Sequence, residues 1–353
     1  MSTQLVNIAL REAKSHTYDE RPHDNFGTHR LTALPILILN VHERCNCRCL
    51  MCDIWKREGG AELRVEELRR HRESIIRLGV RQVVLTGGEP LLHSDLSAIC
   101  GLLKECGVTI TLLSTGLLLK KRAELVASFC DEVIVSLDGP EETHDGVRRV
   151  QGAFRLMREG ILAVRQLQPE MRVNGRSTIQ KANHALLRQT VQAAKLLALD
   201  SISFLAADIS SQAFNRELVW SGERQNDIAL SREEVTALEA EIERLIRDYG
   251  DDIRSKYIVE PPEKLRRIAR RFREDLGEIP PQAPLCNAPW VSAVMEVDGS
   301  IRPCFFHRKV GSLKSMSLEE AINTEDAQLF RRTLDVPENP ICKRCVCSLH
   351  YKK

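Results

Sequence analysis

Short apolar runs rich in β-branched residues alternate along the chain with stretches whose apolar residues recur every three or four positions. The first pattern predicts strands and the second predicts helices. Strands that alternate with helices form parallel βαβ units, so residues 34–210 are predicted to be an α/β domain on a parallel sheet. Six strands are predicted, over residues 35–41, 82–85, 108–113, 132–137, 172–179 and 201–206.

The pattern leaves open whether this sheet is flat or curled into a partial barrel. In either arrangement, ligands bind at the carboxyl ends of parallel strands. The loops after the first, second and fourth predicted strands are therefore the places where we expect a functional site.

The pattern changes after residue 210. Ser231 and Glu234 form a capping-box signature at the start of a helix. A further helix, from about Glu263 to Leu276, carries arginines on one side and apolar residues on the other. We interpret the arginines as a solvated basic face, with a patch for an acidic substrate as the alternative. They are Arg266, Arg267, Arg270, Arg271 and Arg273.

These patterns predict four segments. The last is rich in cysteine, glycine and proline, and such a loop-rich unit would need a metal to hold it together. The segments are an N-terminal extension over residues 1–33, the α/β domain over 34–210, a helical linker region over 211–283 and the cysteine-rich unit over 284–353.

Composition narrows the function classes. The chain has 353 residues, of which 43% are hydrophobic and 28% charged, as in globular proteins. Its longest apolar stretch, residues 34–41, is too short to span a membrane, and its first residues lack an export signal, so we expect a cytoplasmic protein. A formal charge of +2 and only 5% aromatic residues argue against nucleic acid as a partner.

The chain has twelve cysteines, a number that points to metal or redox chemistry in a reducing cytosol. Four lie within residues 45–52, five lie between residues 286 and 347, and three are scattered between these groups. This distribution predicts two separate metal sites.

The first cysteine group directly follows the first predicted strand. Cys45, Cys49 and Cys52 have the spacing C-x3-C-x2-C, and soft thiolates select zinc or iron–sulfur clusters. Three thiolates on a four-iron cluster leave one iron open for a ligand, whereas zinc held by all four cysteines is the alternative. We interpret Cys47 as an extra thiol beside the cluster.

A C-x3-C-x2-C motif after the first of six βα units resembles the signature of the radical S-adenosylmethionine (SAM) superfamily. The resemblance implies a partial (βα)6 TIM-like barrel over residues 34–210 and a [4Fe–4S] cluster that binds SAM. It also implies reductive cleavage of SAM to a 5'-deoxyadenosyl radical, which abstracts hydrogen from an unactivated C–H bond. The electron would come from an external donor such as flavodoxin or ferredoxin.

The segment after the second predicted strand resembles the GGE motif of this family. It comprises Gly87, Gly88 and Glu89. The resemblance implies that these residues bind the amino group of SAM. Glycines allow a ligand to approach backbone carbonyls, and a carboxylate adds negative charge near an ammonium.

Three more SAM contacts are implied by resemblance alone. Ser136 and Arg148, at and after the fourth predicted strand, correspond to residues that bind the ribose or carboxylate of SAM. Met51 stands where the family often has an aromatic residue that packs on adenine, and its thioether could cover a ring. Ser114-Thr115-Gly116 replaces a common T-N-G, so an asparagine contact cannot be transferred.

The second cysteine group resembles the SPASM or shorter twitch extension of radical SAM enzymes, which binds auxiliary iron–sulfur clusters. A turn at Asp298-Gly299 between two short strands fits this resemblance. We expect one auxiliary [4Fe–4S] cluster, with Cys347 as a possible replacement for Cys345, and a four-thiolate zinc site as the alternative. The expected ligands are Cys286, Cys304, Cys342 and Cys345.

The resemblance leads to a functional hypothesis. We expect a net two-electron oxidation of a small metabolite such as a sugar or aminocyclitol, with the auxiliary cluster as electron acceptor. A redox-neutral epimerase or lyase, a peptide-modifying enzyme and a zinc-stapled binding protein are the alternatives. Arg176, Asp208 and the unassigned thiols qualify by type as catalytic groups, but the sequence assigns none of them.

Overall fold

The computed structural model describes residues 25–57, 59–213 and 218–351. Most of the predicted N-terminal extension therefore lies outside the described residues. The strands are β1 (Ile36–His42), β2 (Gln82–Gly87), β3 (Thr109–Ser114), β4 (Glu132–Ser136), β5 (Arg172–Ile179), β6 (Ser201–Ala206), β7 (Ser292–Met295), β8 (Ser300–Arg302) and β9 (Gly311–Ser312).

Most of the helices lie between these strands or follow β6. They are α1 (Asn25–Thr28), α2 (Val65–Arg69), α3 (Arg72–Arg77), α4 (Leu96–Glu105), α5 (Ala123–Phe129), α6 (Glu141–Arg148), α7 (Ala153–Leu167), α8 (Leu187–Leu196), α9 (Gly222–Asn226), α10 (Arg232–Asp248), α11 (Gly250–Arg254), α12 (Pro262–Asp275), α13 (Ala288–Val291), α14 (Leu318–Ala321), α15 (Glu325–Thr333) and α16 (Pro340–Lys343). Two short 3-10 helices span Ile54–Lys56 and Pro90–Leu92. Among the described residues, no helix is both long enough and apolar enough to cross a bilayer.

All nine strands form one sheet in the order β6-β5-β4-β3-β2-β1-β7-β8-β9. The six predicted strands are confirmed, and each pairs in parallel with the next. The free edge of β1 pairs in parallel with β7, which joins the cysteine-rich unit to the sheet. Strands β7 and β8 form the predicted pair around the Asp298-Gly299 turn. The sheet therefore has edges at β6 and β9, as expected for a partial rather than a closed barrel.

The two faces of the sheet differ in composition. On one face, Leu39, Leu85 and Leu112 lie side by side in register and are fully buried. They belong to one hydrophobic core with apolar residues of the crossover helices, such as Ile99 of α4 and Val191 of α8. On the opposite face, Ile38, Val84 and Leu113 of β1 to β3 line one cavity, and Glu132, Asn174 and Ser203 of β4 to β6 line another. We call the space in front of this second face the lumen.

The predicted capping box of α10 is present: Ser231 accepts from the backbone of Glu234, whose side chain accepts from the backbone of Ser231. Helix α10 packs against α12, and α12 packs against the edge strand β6.

The prediction of a solvated basic face on α12 is wrong for two of its arginines. Arg271 is 5% exposed, pairs with Asp275 at 2.8 Å and donates to the backbone carbonyl of Arg344. Arg267 donates to the backbone carbonyl of Cys345 at 3.3 Å. The reason is that α12 lies between the sheet edge and the cysteine-rich unit, so this side of the helix holds the carboxyl-terminal segment.

Two backbone contacts join the carboxyl ends of β1 and β2. The Gly88 amide donates to the carbonyl of His42, and the Glu89 amide donates to the carbonyl of Arg44, both at 2.7 Å. A Cβ atom on Gly88 would lie 1.9 Å from the oxygen of Arg44. Only glycine fits here, because the segment leading to Cys45 passes directly over it.

We predict that Gly88→Ala destabilises the protein and loosens the segment before the cysteines. The added methyl group meets rigid backbone, so the free energy of unfolding should fall by about 1–3 kcal/mol. Urea denaturation under anaerobic conditions measures this change. The matched control is Gly101→Ala within α4, where the Cβ would be 4.0 Å from Phe129 and should leave stability unchanged or slightly higher. Equal stability of both variants would contradict the argument.

Candidate active site and auxiliary cysteine site

The first cysteine group lies in the loop after β1, as predicted. Cys45 and Cys52 are half-buried, whereas Cys47 and Cys49 are buried. The loop is fixed to the end of α6, because the amides of Arg48 and Leu50 donate to the carbonyls of Arg148 and Val147 at 3.1 and 3.0 Å. The thiols are therefore held at the carboxyl edge of the sheet.

Arg148 connects this loop to the end of β4. Its buried guanidinium pairs with Asp138 at 2.5 Å and donates to Cys49 Sγ at 3.4 Å. A hydrogen bond from Cys47 and the positive charge of Arg148 together lower the pKa of Cys49 to about 6. A lowered pKa favours the thiolate, which is the form that binds a metal. Cys47 is thus hydrogen-bonded to its neighbours, a role that the sequence did not indicate.

The buried carboxylate of Glu89 accepts four hydrogen bonds. Its Oε1 accepts from the Leu91 amide at 3.1 Å and the Ser114 hydroxyl at 2.9 Å. Its Oε2 accepts from the amide and hydroxyl of Thr115 at 2.7 and 2.8 Å. Burial raises the pKa of Glu89, while these donors act in the opposite direction. Both oxygens are thus occupied by groups of the protein itself.

Thr115 extends this network to the cysteine loop. Its hydroxyl lies 3.0 Å from Asn46 Oδ1 as well as 2.8 Å from Glu89. The motif at the end of β2, the end of β3 and the cysteine loop are therefore linked through side chains. The only sequence signal for this role of Ser114 and Thr115 was their position at the end of a strand.

The other predicted SAM-binding residues lie at the same edge. Gly87 ends β2, and Ser136 ends β4, where it is in register with Arg176 of β5. Met51 is half-buried and packs against a small apolar cluster that includes Ile209 and Trp220. Its contact with adenine stays a prediction.

A second segment that the sequence did not single out contacts the cysteine loop. The indole of Trp220 donates to Asp53 at 2.6 Å, and Asp53 pairs with Lys56 at 2.9 Å. The Arg224 guanidinium stacks on the Trp220 ring at 4.6 Å and donates to the carbonyl of Leu50. Residues 218–228 are thereby attached to the loop that carries the cysteines.

The second cysteine group surrounds a cavity of about 110 Å³. The remaining lining is largely apolar and includes Ile36, Ile38 and Val84 from the lumen face. His307, which is 5% exposed, approaches Cys342 Sγ at 3.4 Å, and burial lowers the pKa of its imidazole to about 4. The cysteines lining the cavity are Cys286, Cys304, Cys342, Cys345 and Cys347.

This donor set fits an iron–sulfur cluster. Soft thiols surround a space much larger than one ion, and four thiolates complete a cubane. Within the described ranges, no three cysteine, histidine or acidic side chains converge on a single metal ion position. Cys345 and Cys347 both line the cavity, so the choice between them stays open.

A second, smaller cavity of about 70 Å³ lies between β4 to β6, α12 and residues 345–348. Arg176 lines this cavity and also the cavity of the second cysteine group. Asp208, the other residue considered from the sequence, is 5% exposed and lies near the hydroxyl of Ser211 at 2.5 Å. The two cavities share Arg176, Cys345 and Cys347 as lining residues.

Two models of known protein families match this chain, one in the α/β domain and one in the cysteine-rich unit. The model of the radical SAM superfamily matches residues 39–179. The model of an iron–sulfur cluster-binding domain named SPASM matches residues 286–346. The first match contains the three thiols with C-x3-C-x2-C spacing, and the second contains four of the five cysteines that line the larger cavity.

Curated relatives match part of the chain. Fe-coproporphyrin III synthase of Methanosarcina barkeri is 31% identical over 157 residues, which are 42% of this chain and 38% of that protein. Pre-heme d1 synthase of Dinoroseobacter shibae is 30% identical over 167 residues, which are 46% and 41% of the two chains. This chain thus spans about two fifths of the length of these relatives.

Solved structures share the fold over nearly the whole chain. Streptococcus suis SuiB, solved bound to SAM, aligns with a TM-score of 0.63 at 14% identity, covering 91% of this chain and 74% of SuiB. SuiB was also solved bound to its precursor peptide SuiA. At this level of sequence identity, the similarity between this chain and SuiB shows a shared fold. The cysteine motif and the two family matches agree: the chain carries a domain of the radical SAM superfamily, which binds a [4Fe–4S] cluster and SAM, and a SPASM iron–sulfur domain follows toward its carboxyl end.

Proposed function

We propose that this chain is a radical SAM oxidoreductase that removes hydrogen from an unactivated C–H bond of a small metabolite, with a net loss of two electrons. The observation that carries the proposal is the joining of two cysteine sites by one sheet. The first site follows β1, and the second is attached to the same strand through β7. An enzyme that only abstracts and returns hydrogen would not need a second redox centre.

Cys45, Cys49 and Cys52 would hold the SAM-binding cluster, and an external flavodoxin or ferredoxin would supply the electron. When bound, the cluster and SAM together supply a 5'-deoxyadenosyl radical that abstracts hydrogen from the substrate. Arg148 contributes a buried positive charge beside Cys49, which stabilises the negative charge of the ligand set. Because Arg148 is paired with Asp138, we propose that it positions the cysteine loop in addition to binding SAM.

The SAM site would comprise the backbone of Gly87 and Gly88 together with Ser136 and Met51. Glu89 would affect SAM binding mainly by holding this loop in place, since its oxygens already accept four hydrogen bonds. A preorganised loop orients a ligand without a cost of ordering at the moment of binding.

The auxiliary cluster would be held by Cys286, Cys304, Cys342 and Cys345, with Cys347 as the alternative to Cys345. Bound there, it would supply a one-electron acceptor. The apolar lining around these thiols would exclude water.

Two features bear on the substrate. The smaller cavity in the lumen is lined by polar side chains such as Asn174, Arg176 and Ser203, which suit a small polar molecule. The curated relatives are synthases by name, which also favours a small molecule. A peptide substrate is the second candidate, because the similarly folded SuiB was solved with a precursor peptide.

We predict that Cys49→Ala removes the SAM-binding cluster. Anaerobic reconstitution should give about eight irons per wild-type chain and about four in the variant. The variant should form no deoxyadenosine from SAM with dithionite. Cys106→Ala, a change in neither cysteine group, should retain both iron and cleavage. Binding of zinc by the wild type without iron chromophore, or cleavage by Cys49→Ala, would refute the assignment.

We predict a different phenotype for Cys304→Ala and Cys342→Ala. Each should lose about four irons, because a cubane needs its full ligand set. Each should still form deoxyadenosine from SAM while losing oxidised product from a turned-over substrate. Mass spectrometry of product and deoxyadenosine from the same reaction measures both. Product formation at the wild-type rate would remove the oxidative role of the auxiliary cluster.

We predict that Glu89→Gln weakens SAM binding through loss of loop structure. The new amide NH2 faces the donors of Thr115 or Ser114, so the free energy of unfolding should fall by about 1–3 kcal/mol. Urea denaturation and SAM titration are measured together, with exposed Glu66→Gln as the control. Weaker SAM binding at unchanged stability would instead indicate direct contact of Glu89 with the SAM ammonium.

A further inference from the structure

The imidazole of His307 lies against the auxiliary cysteine site. His307 belongs to the segment between β8 and β9, and it lines the same cavity as Cys304 and Cys342. Its Nε2 atom lies 3.4 Å from the Sγ atom of Cys342, which is hydrogen-bond distance for sulfur. A thiolate has lone pairs but no hydrogen, so the imidazole is the donor when Cys342 binds a metal.

The ring of His307 is held in this orientation by its surroundings. It packs edge-on against Phe330 of α15, with the ring centroids 4.8 Å apart, and the residue is buried. The backbone carbonyl of His307 accepts from the guanidinium of Arg302 at 3.0 Å. A donor that is already fixed forms its hydrogen bond without a further cost of ordering.

The acceptor is fixed independently of this ring. Cys342 lies in α16, and the side chain of Asn339 caps this helix by accepting from the amides of Ile341 and Cys342 at 3.0 and 3.1 Å. The helix cap therefore sets the position of Cys342. Loss of the imidazole should leave the thiol in place.

The segment that carries His307 also supports a second cysteine. Backbone hydrogen bonds from Phe306 and His307 favour the thiolate of Cys304, and they oppose the burial that raises the pKa of this thiol to about 11. Residues 304–307 therefore direct N–H groups at two of the expected cluster ligands. One ligand is reached through the backbone and the other through the imidazole.

Hydrogen bonds to sulfur ligands help to set the reduction potential of an iron–sulfur cluster. Reduction adds negative charge, so a donor to sulfur stabilises the reduced state more than the oxidised state and raises the potential. The lining around the auxiliary cysteines is largely apolar. In such surroundings a polar contact has a larger electrostatic effect than it has in water.

We infer that His307 raises the reduction potential of the auxiliary cluster through an N–H···S hydrogen bond to Cys342. This inference rests on the proposed function, in which Cys304 and Cys342 hold a cluster that accepts an electron. The substrate radical loses one electron and the cluster gains it, and a higher potential favours this transfer. His307 acts through Cys342 and is therefore a positioning residue.

The test uses the full chain after anaerobic reconstitution with iron and sulfide. Potentiometric titration followed by electron paramagnetic resonance measures the midpoint potentials, and the titration of Cys49→Ala identifies the signal of the auxiliary cluster. His307→Phe removes the donor but keeps a ring against Phe330. Its auxiliary cluster should be about tenfold harder to reduce, which is a midpoint potential about 59 mV more negative for one electron.

Two further variants separate the donor from the packing of the ring. His307→Gln places an amide N–H near the position of Nε2, so its potential should lie close to that of the wild type. His71→Phe is the control, because His71 is also a buried histidine but precedes α3, outside both cysteine groups. It should leave the potential unchanged.

Three results would overturn the inference. The first is an unchanged midpoint potential in His307→Phe at about eight irons per chain, and this leaves the proposed function intact. The second is an equal shift in His307→Phe and His307→Gln, which assigns the effect to packing. The third is the loss of about four irons from both variants, which assigns His307 to assembly of the site. A wild type that holds only about four irons refutes the proposed function separately and removes the inference with it.

Discussion

The buried carboxylate of Glu89 is the constraint on which the active-site edge depends. A carboxylate away from water is tolerated only when its oxygens accept hydrogen bonds, and here the donors come from the loop after β2 and from the end of β3. Thr115 then reaches Asn46 in the cysteine loop. The need to satisfy one buried charge thus holds three loops in a single arrangement.

A second buried charge, that of Arg148, stabilises the other side of the cysteine loop. Arg148 is buried and would be costly without Asp138, so the pair fixes the end of α6 against β4. The backbone of that helix end in turn anchors the loop through Arg48 and Leu50. Ligands for a cluster need such support, because the surrounding contacts orient the first-shell groups and tune their chemistry.

The attachment of β7 to β1 explains how the two cysteine sites are related. A strand added to the sheet edge shares backbone hydrogen bonds with it, so the auxiliary site cannot move independently of the strand that leads to Cys45. The α12 arginines secure the carboxyl-terminal segment at the opposite edge. The lumen is covered between these two attachments, and its two cavities are lined by different parts of the sheet.

The sequence by itself determined the six parallel strands, the α10 capping box and the two cysteine groups. These features depend on local periodicity or on spacing along the chain, which a sequence displays directly. The family resemblance added the expected cofactors, which the family comparisons support.

Only the tertiary structure decided which side chains meet across long separations. It gave the Glu89 carboxylate its donors from the end of β3 and brought Trp220 to Asp53. It also buried Arg271, which the sequence had assigned to solvent. Helical periodicity identifies the polar side of a helix, but not whether that side faces water or another segment, since this depends on packing between residues distant in the chain.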